Sequence, residues 1–273
     1  MKYIRTFAVA CAISALTMGV VLAQDRSSAP ATEEYRPHSG QPGKDVVWVP
    51  TPQALVDRML DMAQVTPDDY LVDLGSGDGR TVISAAKRGV RAHGIEYNPD
   101  MVALAQRKAE AEGVAGKATF ERADIFKSDF SRASVVTLFL LPTLNERLRP
   151  TLLKMKPGTR IVSNSFDMGD WQPDDRIEAS ADCTSWCRAM LWIIPARAEG
   201  RWRMKDGELD LEQNYQMLSG TLSRGGASLP ISDARMKGSE IAFVAGGQRY
   251  IGKVDGRTIN GRIEGGGTWS ATR

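Results

Sequence analysis

Between Val46 and Ala196 short apolar runs alternate strictly with segments of helical periodicity. A chain so patterned folds as a parallel sheet with helices on both faces, because each parallel pair needs a crossover connection. The runs "DYLVDLG", "RAHGIE", "KATFERAD", "SVVTLFLL" and "GTRIVSNSF" predict five strands. The spacing predicts helices starting at Pro52, with Leu55, Met59, Leu60 and Met62 on one face, and over 80–88, 99–112 and 144–155. After Asp167 the alternation stops. "RIEAS" and "RAMLWIIPA" then predict two antiparallel strands at the sheet's far edge, flanking the turn "CTSWC". The expected fold is α/β and Rossmann-like, with seven strands.

From Arg197 onward Gly is dense, and short alternating segments share an apolar-x-Gly-x-apolar core in "LSGTL", "YIGKV" and "INGRI". Residues 197–273 are expected to form a small antiparallel all-β domain, a meander barrel or sandwich. The α/β half, 46–196, is expected to fold without it.

The first 23 residues follow the pattern of a secretory leader: Lys2 and Arg5, an uncharged apolar run, then Val21 and Ala23 before Gln24. Cleavage after Ala23 is expected; the alternative is a membrane anchor over residues 7–22. Either way the domain is exported, to a periplasmic, secreted or envelope-associated location. Residues 24–45 are poor in aliphatic side chains and read as a disordered linker. The chain has 35 basic and 33 acidic residues, and the leader takes Lys2 and Arg5 with it, so the mature charges balance. That leaves no electrostatic footprint for nucleic acid. Cys183 and Cys187 remain as a disulfide or as two thiols, and with only His38 and His93 no metal-ligand pattern is present.

The loop after the first predicted strand, "VDLGSGDGR", places Gly75, Gly77 and Gly79 as G-x-G-x-G with Ser76 and Asp78 between them. A dinucleotide fingerprint needs its third Gly or Ala where Arg80 stands, and no Gly-Lys-Ser/Thr is present for a triphosphate. Asp78 is expected to repel a pyrophosphate from the helix start and to tolerate a cationic ligand. Acids follow at successive strand ends: Asp73, Glu96 beside Tyr97, and Asp124 beside Ile125. An amino-acid cation at Asp73, a ribose at Glu96 and an adenine amino group at Asp124 are the three parts of S-adenosylmethionine. Taken singly, each acid is equally a helix cap, a surface acid or a turn former.

Through "VDLGSGDGR", "GIEYNP" and "ERADIF" the chain resembles the class I S-adenosylmethionine-dependent methyltransferases. Through "VPTPQALVDRML" and "LFLLPTLNERLRPTLLKMKPGTRIVSNSF" it is similar to the small protein-lysine methyltransferases that have mitochondrial members. The resemblance covers 47–173, about half the chain. It implies cofactor contacts at Asp73, Gly75, Gly77, Glu96 and Asp124, with Thr51 and Pro52 closing over the site, and a protein substrate methylated on lysine. Phe139 stands where the family tends to have Tyr. Phe139, Leu140, Leu141 and Pro142, at the end of the fourth strand, are expected to line an apolar acceptor channel. Trp171, Trp186 and Trp192 read as packing residues before an acceptor lip. The alternative function is an exported, non-catalytic methyltransferase-like module whose β domain binds a ligand or envelope partner.

Overall fold

Leu71, Val72, Val135, Val136, Ile161 and Val162 are all essentially inaccessible, as strands buried on both faces must be. They belong to a seven-stranded sheet seen in a computed structural model that describes residues 1–2, 35–179 and 183–273. The expected leader and anchor thus lie outside the described residues but for Met1 and Lys2. Among the described residues no helix is long and apolar enough to cross a membrane.

The first half runs α1 (Gln53–Met62), β1 (Tyr70–Leu74), α2 (Arg80–Lys87), β2 (Arg91–Glu96), α3 (Pro99–Ala111), β3 (Ala118–Arg122), β4 (Val135–Leu138), α4 (Pro142–Leu152), β5 (Arg160–Asn164), β6 (Asp175–Glu178) and β7 (Arg188–Ile193). The sheet order is β3-β2-β1-β4-β5-β7-β6. The first five strands are parallel, while β7 pairs antiparallel with both β5 and β6. Strand order reverses at β1, which lies between β2 and β4 and so opens a crevice at its carboxyl end.

Two boundaries differ from expectation. β4 ends at Leu138, and α4 begins at Pro142, so Pro142 is the first residue of a helix and not the end of a strand. A proline's fixed φ and missing N–H suit that first turn, a stronger signal than the apolar run before it. The stretch 35–45, expected as linker, is ordered. Gly40 N–H donates to Trp48 O, Trp48 N–H to Gln41 O, and Gln41 Nε2 to Tyr35 Oη. Hydrogen bonds and Trp48 hold it, which a count of aliphatic residues misses.

The second half is β8 (Gly200–Met204), β9 (Gly207–Asn214), β10 (Met217–Arg224), β11 (Ala227–Pro230), β12 (Ser232–Lys237), β13 (Glu240–Ala245), β14 (Gln248–Asp255), β15 (Thr258–Ile263) and β16 (Thr268–Thr272). Pairing of β9 with β10, and of β16 with β8, closes a barrel of eight antiparallel strands, with β11 outside it on β10. Closure pairs both edges of the barrel strands and leaves only the short β11 at an edge. Trp202, Leu209, Met236, Ile241, Phe243 and Ile259 fill the interior. Gly252 and Gly261 oppose each other in the β14–β15 ladder, and a Cβ on Gly252 would stand 2.8 Å from Trp269 Cζ2. Their lack of side chains seats Trp269, whose Nε1 donates to Ile251 O and Arg262 O at 3.2 Å.

Residues 35–273 form one compact unit. Trp171, fully buried after β5, donates through Nε1 to Gln216 Oε1 of the barrel at 2.9 Å and stacks on Tyr215 with centroids 5.6 Å apart. Gln216 Nε2 returns to Gln172 O at 2.7 Å, and Arg235 pairs with Asp174 at 2.6 Å. The composition shift at Arg197 marks a change of architecture, but core residues cross it.

Candidate active site

A cavity with about 1040 Å³ of empty space, its open mouth included, lies at the carboxyl ends of β1, β2 and β4. Of the residues singled out in the sequence, Thr51, Asp73, Gly75, Ser76, Gly77, Asp78, Glu96, Tyr97, Asp124, Ile125, Phe139 and Leu140 line it. Pro52, Gly79, Leu141 and Pro142 do not. Pro52 is the N-cap of α1, and Leu141 that of α4. Gly79, at φ 80°, faces away, where a Cβ would stand 2.7 Å from Phe120 Cζ and 2.8 Å from Ala105 Cβ, so it serves helix–sheet packing.

Asp73 is the last but one residue of β1 and is buried. Its Oδ1 accepts from Thr137 Oγ1 at 2.6 Å. Burial pushes its carboxyl up to about 7, only partly opposed by the Thr137 hydroxyl, and the nearby Glu96 and Asp78 charges push the same way. Among the described residues no ion pair compensates it. Such a group is set to receive a cation from outside the protein.

The glycine loop is differently occupied. The N–H groups of Gly75 and Ser76 both donate to Ile95 O, that of Gly77 to Glu96 Oε2 at 2.9 Å, and that of Gly79 to Ser76 O. The N–H groups of Gly75, Ser76, Gly77 and Gly79 are therefore not free to cradle a phosphate. Asp78 plays another part than expected. Its carboxylate takes a two-pronged contact from Arg80, at 3.0 and 2.9 Å, and Lys108 Nζ at 2.7 Å. Burial pushes Asp78 up, but the Arg80 and Lys108 contacts outweigh it and hold the carboxyl below its usual range. Asp78 thus pins the loop to α2 and α3, while its negative charge still reaches Asp73. The engaged loop N–H groups add to the argument against a pyrophosphate.

Glu96, ending β2, accepts from the backbone N–H groups of Gly77 and Asn98, both at 2.9 Å. Asp124, just past β3, accepts from Phe126 N–H at 3.0 Å and pairs with Lys44 at 3.3 Å. The Phe126 contact and the Lys44 charge hold Asp124 below the usual carboxylate range. Lys44 also lies 5.3 Å from the Tyr97 ring centre. The segment Gln41–Trp48 thus crosses the mouth of the site, and Trp48 sits so close over Gly77 that any Cβ there would collide with Nε1. Sequence reasoning missed this strap; its one signal was Trp48 and Lys44 within the "PGKDVVWVP" stretch.

Trp171 and Trp192 are core residues, as read from the sequence. Trp186 is not: it is 43% exposed and touches Phe139 and Phe166. Cys183 and Cys187 are bonded. Among the described residues no cluster of His, Cys, Asp or Glu could hold a metal ion.

The buried Asp73, which has no ion-pair partner among the described residues, and the Glu96 and Asp124 carboxylates lining the same cavity fit S-adenosylmethionine, a cationic ligand with polar substituents. Together with the seven-stranded sheet, they define a class I S-adenosylmethionine-dependent methyltransferase. The family model described as the ANTKMT methyltransferase domain matches residues 73–175. A protein-lysine N-methyltransferase of Saccharolobus islandicus is 44% identical over 147 residues, which is 53% of this chain and 87% of that protein. The chain belongs to this methyltransferase family. The adenine nucleotide translocase lysine N-methyltransferase of Mus musculus is 37% identical over 120 residues, 43% of this chain and 52% of that protein, so the match spans about half of its length. An RNA methyltransferase of Salinibacter ruber, solved with S-adenosyl-L-homocysteine, is 47% identical with a TM-score of 0.51, covering 55% of this chain and 95% of that one.

Proposed function

We propose that this enzyme N-methylates lysine side chains of a protein exported with it. Asp73 carries the reading of the cofactor's end of the reaction: a buried acid that no cation pairs with among the described residues, placed to take the ammonium of the methionine part. Glu96 accepts from the ribose hydroxyls, Asp124 and Ile125 flank the adenine, and Thr51 and Tyr97 bound the pocket. Bound S-adenosylmethionine supplies a methyl on a sulfonium, which departs as the thioether S-adenosylhomocysteine when a neutral amine takes the methyl and then releases a proton. The chain's own task is to hold a nucleophile in line and to keep it neutral. Phe139 and Leu140 form an apolar wall at the cavity, and desolvation there lowers an amine's pKa.

Lysine is supported by the two relatives named for lysine N-methylation. The Salinibacter relative favours RNA as a second reading. Balanced charge in the mature chain weighs against it, since RNA binding draws on basic surface. Export rests on the leader pattern and is supported by the bonded Cys183–Cys187 pair. Incubating the protein with methyl-tritiated S-adenosylmethionine and host envelope extract tests the assignment. Protease-sensitive, nuclease-resistant label that hydrolyses to methyl-lysine is expected. Nuclease-sensitive label would assign RNA instead.

A further inference from the structure

Phe139, Phe166 and Trp186 come from three separate places: the end of β4, the turn after β5, and the loop joining β6 to β7. Their rings nevertheless meet. Centroids lie 6.0 Å apart for Phe139 and Phe166, 5.8 Å for Phe139 and Trp186, and 5.5 Å for Phe166 and Trp186. Phe139 lines the cofactor cavity, and Trp186 reaches solvent. The three rings therefore form a continuous wall from solvent to cavity. Rings this close leave no box between them, so what they offer a ligand is an outer face, a track.

Each outer ring is fixed at a cost. The Phe166 carbonyl accepts from Ser163 Oγ at 2.7 Å and Asn145 Nδ2 at 3.3 Å. Ser165 before it has φ 61°, and Trp186 itself has φ 58°, left-handed conformations that residues with a Cβ avoid. Trp186 sits inside the loop closed by Cys183–Cys187, and Ala179 N–H donates to Cys187 O at 2.8 Å. Strained backbone and an exposed indole at the rim of a reaction site, with no core to fill, point to a ligand-contacting role.

We propose that Phe139, Phe166 and Trp186 are the acceptor track: the aliphatic stem of a lysine lies along the rings, its nitrogen reaches the cavity at Phe139, and the Cys183–Cys187 bond sets the track by holding Trp186. This rests on the lysine reading above. The stem's methylenes bury against the rings, and the ammonium is drawn to their faces, an attraction that persists through successive methylations because the charge persists. Phe139 offers no hydroxyl, so packing and the attraction to the ring faces position the amine. Reduction of the disulfide frees Trp186 and weakens acceptor binding while leaving the cofactor pocket intact. The track is thereby competent in an oxidising compartment and impaired in a reducing one.

The test uses the ¹⁵N-labelled protein saturated with S-adenosylhomocysteine and titrated with Nα-acetyl-lysine methylamide. The Trp186 indole N–H resonance is followed, assigned by its loss in Trp186→Phe. A saturable shift is expected. In the double variant Cys183→Ser, Cys187→Ser it should need at least about fivefold more probe, while S-adenosylhomocysteine affinity by calorimetry stays unchanged. Nα-acetyl-norleucine methylamide, which lacks the nitrogen, should bind several-fold more weakly. An unmoved Trp186 resonance with both probes overturns the track. Equal response to both overturns its assignment to lysine, and equal affinity in the double variant overturns the role of the disulfide. A protein that binds no S-adenosylhomocysteine at all would sink the cofactor reading instead.

Discussion

Thr137 and Asp73 stand opposite each other in the β1–β4 ladder, and Thr137 Oγ1 donates to Asp73 Oδ1 at 2.6 Å. The hydroxyl is the nearest favourable partner of a carboxylate that burial has pushed up to about 7. Cofactor binding needs the ionised form, so affinity should fall as pH drops below about 7, approaching about tenfold per pH unit. Thr137→Val removes the donor and should move that fall to higher pH, with about a tenfold loss at neutrality. Calorimetric titrations between pH 5.5 and 8.5 read both; a flat profile would remove Asp73 from the ammonium site.

The same displacement has a stability consequence of opposite sign. With a folded pKa above the unfolded value, Asp73 costs nothing below about pH 4, where it is protonated in both states. It destabilises increasingly as pH rises through the folded value of about 7. Asp73→Asn should therefore stabilise the cofactor-free protein at pH 8, by an amount on the order of 1–3 kcal/mol read as a raised melting temperature, while abolishing cofactor binding. A lowered melting temperature would show the carboxylate to be compensated after all.

Asp78 behaves in the reverse way. Held below the usual range by Arg80 and Lys108, it contributes stability above about pH 4 that is lost as pH falls through its folded value. Asp78→Asn leaves two cations facing a neutral amide and should cost about 2–3 kcal/mol at pH 7, discounted for the partial exposure of both cations. Urea unfolding at pH 7 and pH 3.5 should show the gap between variant and wild type closing at the lower pH.

Glu96 holds the loop and is assigned the ribose. Removing its carboxylate releases the N–H groups of Gly77 and Asn98 as well, so Glu96→Ala should weaken cofactor binding by about 2–3 kcal/mol with the circular dichroism spectrum unchanged. Wild-type affinity in the variant would exclude Glu96 from the site.

Removal of residues 197–273 tests how the halves depend on each other. The composition shift predicts an autonomous fragment; the buried Trp171 indole predicts that it loses both its acceptor, Gln216, and its stacking partner, Tyr215. Fragment 35–196 should therefore lose cooperative unfolding, and Gln216→Ala in the full chain should cost about 1–3 kcal/mol. A cooperatively folded, cofactor-binding fragment would show that the α/β half folds without the barrel.

The strand–helix alternation, the G-x-G-x-G loop and the acids at successive strand ends were legible in the residues, because period and turn chemistry are local properties. They determined a parallel sheet and a crevice suited to a cation, a ribose and an adenine. Local pattern also foresaw two closing antiparallel strands and an antiparallel all-β Gly-rich half, but not whether that half closes as a barrel or packs as a sandwich. It could not say that Asp78 is paired with Lys108, which lies 30 residues away in sequence and 2.7 Å away in space. Nor could it place Trp48 and Lys44 over the site, seat Trp171 against Gln216, or bring Trp186 to Phe139. The kind of ligand was thus set by local pattern, whereas the tertiary structure decided which residues are free to meet it. Burial and charge pairing depend on which strand ends become neighbours, and only the folded sheet order decides that.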